Sequence, residues 1–105
     1  MAQANEHFTT SKQNHDAALL AMVDQHDALW GEWDRITDFG KNEDPRTRAL
    51  SDECYELERK ITATPAFTRE GLAGKRRVIR RAEFEDDSGV IATILELDAE
   101  RVAAR

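Results

Sequence analysis

The feature that most constrains the fold is a regular apolar stripe running through two neighbouring segments. Between about residues 14 and 39, apolar positions recur at spacings of three and four, which is the period of an α-helix. They are Leu19, Met22, Val23, His26, Leu29, Trp30, Trp33 and Ile36. A second stripe of the same period comprises Leu50, Cys54, Leu57 and Ile61. The sequence therefore predicts two long helices, each with one face that must be covered.

Turn residues predict how these two helices connect. Gly40 can end the first helix, because glycine adopts the left-handed conformation at little cost. Asp44 can cap the second helix, and Pro45 occupies its first position, where a missing N–H does no harm. The connection is short, so we expect the pair to form a long antiparallel helical hairpin.

Shorter helices are predicted after the hairpin. Thr64 precedes Pro65 and should end the second helix, since a residue before proline avoids the helical region. Either Thr64 or Thr68 can then cap a third helix that runs to about Phe84. Gly71 and Gly74 weaken that helix, which suggests close packing against a neighbour. The spacing Gly71-x-x-Gly74-Lys75 does not match a phosphate-binding loop.

The last segment, residues 90–104, is open to two interpretations. Its apolar residues share one side of a helix, but its first residues are β-branched and also suit a strand. We favour a helix, because no second strand is evident to pair with it. The expected fold is thus all-α: a flexible polar tail at residues 1–13, then one helical domain at residues 14–105, made of a long hairpin with one or two shorter C-terminal helices.

The residues around Pro65 carry a resemblance to a known group. A helix that ends in Ile-x-x-Thr-Pro-Ala, at residues 61–66, is followed by Thr-x-x-Gly-Leu-x-x-Lys at residues 68–75. This pattern resembles short uncharacterised helical proteins that are common in alphaproteobacterial genomes. Many of those proteins also have a leading helix with Leu-Trp and a nearby Trp, as residues 29–33 do here. The resemblance spans about residues 26–80, agrees with the predicted helix order and implies no activity.

Charge is distributed unevenly along the chain. The net charge is −6, yet residues 67–82 hold six bases and one acid. On a helix, Arg76 aligns with Arg80 and Arg77 with Arg81, and such a row can contact phosphates. Neutralisation by neighbouring acids, or by the helix dipole, explains the row equally well. Neither a base-reading motif nor an aromatic stacking platform accompanies it, so a nucleic-acid-contacting or phosphate-contacting protein is the alternative function.

Catalytic and metal-binding patterns are sparse. Cys54 is the sole cysteine and lies on an apolar stripe beside Glu53 and Glu56, which favours a buried, inert thiol. His26 falls on the apolar face, which favours a histidine at the edge of the core, and the Glu-x-x-His pairs of helical metal sites do not occur. We therefore expect no metal, no cofactor and no enzyme. An enzyme that uses Cys54 or His26 is the third class, for which the sequence suggests no reaction.

The wide apolar face of the first helix is the basis of the functional hypothesis. Trp30 and Trp33, with Leu29 and Met22, are the candidate interface, since tryptophan is enriched at the energetic centres of interfaces. We expect a homodimer and a non-enzymatic interaction or assembly protein that can also take another protein as partner. The polar N-terminal residues and the short apolar runs predict a cytoplasmic protein without a membrane span, which needs ~20 apolar residues.

Overall fold

The computed structural model describes residues 16–38, 45–84, 86 and 88–104. Four α-helices and no strand occur in these ranges: α1 (Ala17–Thr37), α2 (Pro45–Ala63), α3 (Arg69–Ala82) and α4 (Val90–Ala103). The all-α prediction is confirmed, and the last segment is a helix. None of the described helices is both long and apolar enough to cross a bilayer.

The ends of the helices follow local signals. α2 begins at Pro45, as predicted, whereas Gly40, Asp44 and the predicted tail at residues 1–13 lie outside the described residues. Of the two threonines that could cap α3, Thr68 does so, because its side chain accepts a hydrogen bond from the Gly71 amide at 3.0 Å.

The start of α4 is capped from the preceding turn. The Asp86 carboxylate accepts hydrogen bonds from the amides of Ile91 and Ala92, each at 2.9 Å. Gly89 lies between them with a φ of 73°, a left-handed conformation that glycine adopts without a side-chain penalty. The turn therefore supplies both the backbone reversal and the acceptor that the first amides of α4 need.

The core lies where the first three helices meet. α1 makes its largest contact with α2, α3 packs on both, and α4 packs chiefly on α3. The buried cluster contains Leu19, Val23, Leu57, Ile61, Ala66, Leu72 and Val78. Leu95, Ala99 and Val102 of α4 pack at its edge, so α4 covers the core from one side only.

Two glycines in α3 permit close approach to α1. A Cβ at Gly71 would overlap the Asp16 carboxylate, and a Cβ at Gly74 would lie 3.2 Å from Cγ1 of Val23. The close packing predicted from these glycines is confirmed. At Gly71 the close neighbour is the polar carboxylate of Asp16 and not an apolar side chain.

Candidate functional site

A buried carboxylate fixes the start of α3 against the start of α1. Asp16 is fully buried and accepts hydrogen bonds from the amides of Phe67, at 3.0 Å, and Thr68, at 2.7 Å. It also accepts one from the Thr68 hydroxyl. These donors lie at the end of the connection from α2, where backbone amides would otherwise lack partners. One side chain at the start of α1 thereby positions both the connection and the helix that follows it.

A buried ion pair holds residues 64–66, the first part of the connection between α2 and α3. The Nζ of Lys75 lies 2.6 Å from Oδ2 of Asp98, and both side chains are fully buried. Lys75 also donates to the Thr64 carbonyl at 2.8 Å, while Asp98 Oδ1 accepts from the Ala66 amide at 3.0 Å. Arg101 adds a contact of 2.8 Å to the same oxygen. Lys75 belongs to the basic segment of residues 67–82, but its side chain is buried and ties α3 and α4 to residues 64–66.

The polar anchor of Asp16, Lys75 and Asp98 was missed by the sequence analysis, although the pattern contained a signal for the ion pair. Lys75 lies three residues from both Leu72 and Val78, and Asp98 lies between Leu95 and Val102 at helical spacings. Opposite charges at the apolar positions of two helices are typical of a buried pair, because a lone buried charge is strongly unfavourable.

A second polar cluster joins the middle of α1 to α2 and α3. His26 is fully buried, and its Nε2 lies 2.7 Å from Oε2 of Glu58. Arg81 lies 3.3 Å from its Nδ1. Since arginine only donates, this network assigns the ring proton to Nε2, which donates to the Glu58 carboxylate. His26 is therefore deeper in the core than the edge position expected from the sequence, and it is satisfied on both ring nitrogens.

The basic row of α3 divides into two halves. Arg77 and Arg81 form ion pairs with Asp27 of α1, at 2.7 and 2.8 Å. Burial alone would raise the pKa of Asp27, but the hydrogen bonds and charges of these two arginines outweigh it and lower that pKa below its usual value. Arg76 and Arg80 are exposed and have no partner among the residues that the structure describes. Only this second pair is left for an external phosphate.

The four predicted interface residues of α1 do not share one environment. Met22 and Leu29 are partly buried and pack against the core cluster. Trp30 and Trp33 are also partly buried, with ring centroids 5.6 Å apart, and the Trp30 ring stacks on His26 at 5.9 Å. Met22 and Leu29 thus help to close the monomer core, while the two tryptophans line a surface cavity together with Cys54.

Cys54 is buried, with 4% of the residue exposed. Burial, with the negative charges of Glu58 and Glu53, raises the pKa of Cys54 to about 11. The thiolate is the nucleophilic form, so this environment opposes nucleophilic chemistry near neutral pH. No cluster of three His, Cys, Asp or Glu side chains in the described ranges is arranged to hold a metal ion.

An apolar groove lies between α2 and α4. It has a volume of about 520 Å³ and is lined on its apolar side by Ala63, Phe84, Ile91 and Ile94. Glu56, Arg59 and Lys60 of α2 form its polar edge. Because most of the lining surface of the groove is apolar, the groove is suited to taking up an apolar surface.

Comparison of the chain with protein-family models, with curated proteins and with solved structures gave no match. The groove, the surface cavity and the charged clusters are therefore the features that bear on function.

Proposed function

We propose that this protein is a non-enzymatic assembly module that forms a homodimer through the groove between α2 and α4. The observation that carries the proposal is the continuity of this groove with an exposed apolar stripe on α4. Val90 and Leu97 are 55% and 45% exposed, and Ile94 lies between them at spacings of four and three residues. Such a stripe is typical of helices that pack on a partner helix.

α4 thus has two apolar sides with different roles. Leu95, Ala99 and Val102 face the core, and the stripe of Val90, Ile94 and Leu97 faces away from it. The inward side accounts for the attachment of α4 to its own chain. Among the residues that the structure describes, Val90 and Leu97 on the outward side remain exposed, and burying them would remove apolar surface from water.

Charge at the edges of this surface favours a second copy as the occupant. Arg59 and Lys60 border the groove on α2, while Glu96 and Glu100 are exposed on α4. In a two-fold dimer the same surface occurs on both copies, so the basic edge of one can face the acidic edge of the other. These exposed pairs would set the orientation of the dimer more than its strength.

An antiparallel arrangement of α1 and α2 is part of the same proposal. Asp16, at the start of α1, contacts residues 67–68 just after α2 ends. Trp33, near the end of α1, lines a cavity with Ser51, near the start of α2. This reversed order supports a long hairpin as the rigid base on which α3 and α4 hold the groove.

The test is a comparison of matched variants by sedimentation velocity. Leu97→Glu places a charge in the outward stripe, whereas Ala103→Glu adds the same charge elsewhere on the exposed surface of α4. We expect Leu97→Glu to weaken dimerisation at least about tenfold, because a charge would be buried without a partner. Ala103→Glu should leave it nearly unchanged. Loss of the dimer in Trp33→Ala but not in Leu97→Glu would assign the interface to α1 and contradict the groove.

The nucleic-acid alternative is favoured by one observation, the exposed pair Arg76 and Arg80. It predicts salt-sensitive binding to DNA or RNA that falls in the double variant Arg76→Gln/Arg80→Gln. The double variant Arg35→Gln/Arg48→Gln, which removes two exposed charges elsewhere, provides the control for net charge. Binding that is unchanged in the double variant would remove this alternative.

A further inference from the structure

A second cavity, independent of the groove, is lined by three aromatic rings and one carboxylate. It has a volume of about 180 Å³ and lies where Trp30 and Trp33 of α1 meet Tyr55 and Glu58 of α2. The two tryptophan rings are tilted by 35° to each other. Such a combination of ring faces and a single carboxylate is the chemistry that binds alkylated ammonium groups, because ring faces attract a cation that is too weakly hydrated to prefer water.

We propose that this aromatic cavity binds a trimethylammonium group, carried by a small molecule or by a methylated lysine side chain. Drug-sized ligands occupy cavities of about 300 Å³ or more. The smaller volume here therefore fits a compact cationic head rather than an extended molecule.

Glu58 provides the counter-charge for such a ligand. Its side chain is only 9% exposed, and its Oε2 is engaged by His26. No described residue donates a hydrogen bond to its other oxygen, Oε1. The carboxylate is thus held in one orientation by the buried histidine, and it retains an acceptor oxygen in a residue that lines the cavity.

The charges on the arginine side of the cavity are only partly neutralised. One carboxylate, Asp27, pairs with both Arg81 and Arg77, so this cluster keeps one positive charge and Glu58 is the counter-charge on which a cationic ligand depends. The guanidinium of Arg81 lies 5.7 Å from the Trp30 ring centroid, and that of Arg59 lies 5.9 Å from the Tyr55 ring. Trp30 and Tyr55 therefore each already have one arginine within cation–π distance. Within the described part of the chain, no cation lies over Trp33, which leaves that ring for a ligand.

The wall beside Glu58 is neutral. Cys54 lines the same cavity, and the raised pKa of its thiol keeps it uncharged at neutral pH. The other lining residues, Ser51 and Ala82, are uncharged as well, which leaves the aromatic rings and the carboxylate as the groups that select for a cation. The neutral isostere of a trimethylammonium compound should therefore bind much more weakly than the cation.

Intrinsic fluorescence tests this inference directly, because Trp30 and Trp33 are the only tryptophans of the chain. The wild-type protein is titrated with choline and, separately, with 3,3-dimethyl-1-butanol, which has the same shape without the charge. We expect choline to change the emission in a saturable way and to bind at least about tenfold more tightly than the alcohol. No saturable response, or equal affinities, would overturn the proposal without requiring any variant.

Two further titrations identify the counter-charge and the source of the cation. Glu58→Gln should weaken choline binding about tenfold while retaining a hydrogen bond to His26, whereas Glu56→Gln, which removes an exposed charge one half-turn away, should not. Equal affinities for these two variants would contradict the role of Glu58. A short peptide with trimethyllysine that binds more tightly than choline would indicate a protein source, and the opposite order a small-molecule source.

Discussion

Buried charges at helix core positions determine how the connection between α2 and α3 is held. Lys75 serves two partners at once, the Asp98 carboxylate and the Thr64 carbonyl. We predict that Lys75→Met lowers the free energy of unfolding by about 3 kcal/mol, because Asp98 would remain buried without its main counter-charge. Urea unfolding provides the measurement. Arg76→Met removes the same charge from an exposed neighbour and should change stability by less than about 0.5 kcal/mol.

If Lys75→Met and Arg76→Met were equally stable, the ion pair would not fix α4 to the connection. Rescue provides a second readout. Combining Lys75→Met with Asp98→Leu removes both charges, so the double variant should be more stable than Lys75→Met alone.

Glycines at two positions have opposite predicted responses to the same substitution. Gly31 lies on an exposed part of α1, and nothing lies within 4 Å of a Cβ built on it. Gly31→Ala should therefore stabilise the protein by about 0.5–1 kcal/mol, the difference in helix propensity. Gly71→Ala should instead destabilise it by about 2 kcal/mol or more, because the new methyl group would displace the Asp16 carboxylate from its donors. Thermal and urea unfolding of both variants would show this, and a stabilising Gly71→Ala would refute the Asp16 anchor.

At the scale of the elements, the cap of α4 makes a specific prediction. The Asp86 carboxylate serves two of the first amides of this helix. Asp86→Ala should cost about 1 kcal/mol and loosen the first turn of α4 more than the other helices. Hydrogen exchange of the amides of Ile91 and Ala92 would report this change. Ser88→Ala alters the same turn without touching the carboxylate, and it is the matched control. Unchanged protection of both amides in Asp86→Ala would show that the cap is dispensable.

The helices themselves could be predicted from the sequence because their signals are local. Pro45 marks the start of α2, Pro65 follows its end, and the apolar period of 3.6 extends through each segment. The choice between helix and strand for residues 90–104 was harder, since the β-branched residues at its start suit either. The cap from Asp86 and the inward packing of Leu95 and Val102 decide it in the structure.

The polar contacts were less predictable than the helices, because they depend on residues far apart in the chain. Asp16 meets Phe67 across 51 residues, and His26 meets Glu58 across 32. Sequence patterns assign charged residues to the surface, so Asp16 and Glu58 could be placed only once the helices were docked, whereas Asp98 has a signal in its helical spacing from Leu95 and Val102. The candidate interface on α1 was likewise inferred from residue type, and two of its members, Met22 and Leu29, are partly buried against the core cluster.

The whole molecule has an uneven distribution of apolar surface. The core lies among α1, α2 and α3, while α4 covers one side and keeps an exposed apolar stripe with the groove beside it. Small single domains are marginally stable, so burying this surface against a second copy would add to their stability. The proposed dimer should therefore stabilise the folded chain, and its melting temperature should rise with protein concentration.

The most direct test of the homodimer is the solution mass by light scattering over a wide range of protein concentration. We predict twice the mass of one chain, persisting at about 1 M salt, where the Debye length is only ~3 Å and edge charges are screened. An apolar interface survives that screening, whereas an association held by charges alone would dissociate. A single-chain mass at every concentration would contradict the assembly proposal and make Arg76 and Arg80 the first surface to examine.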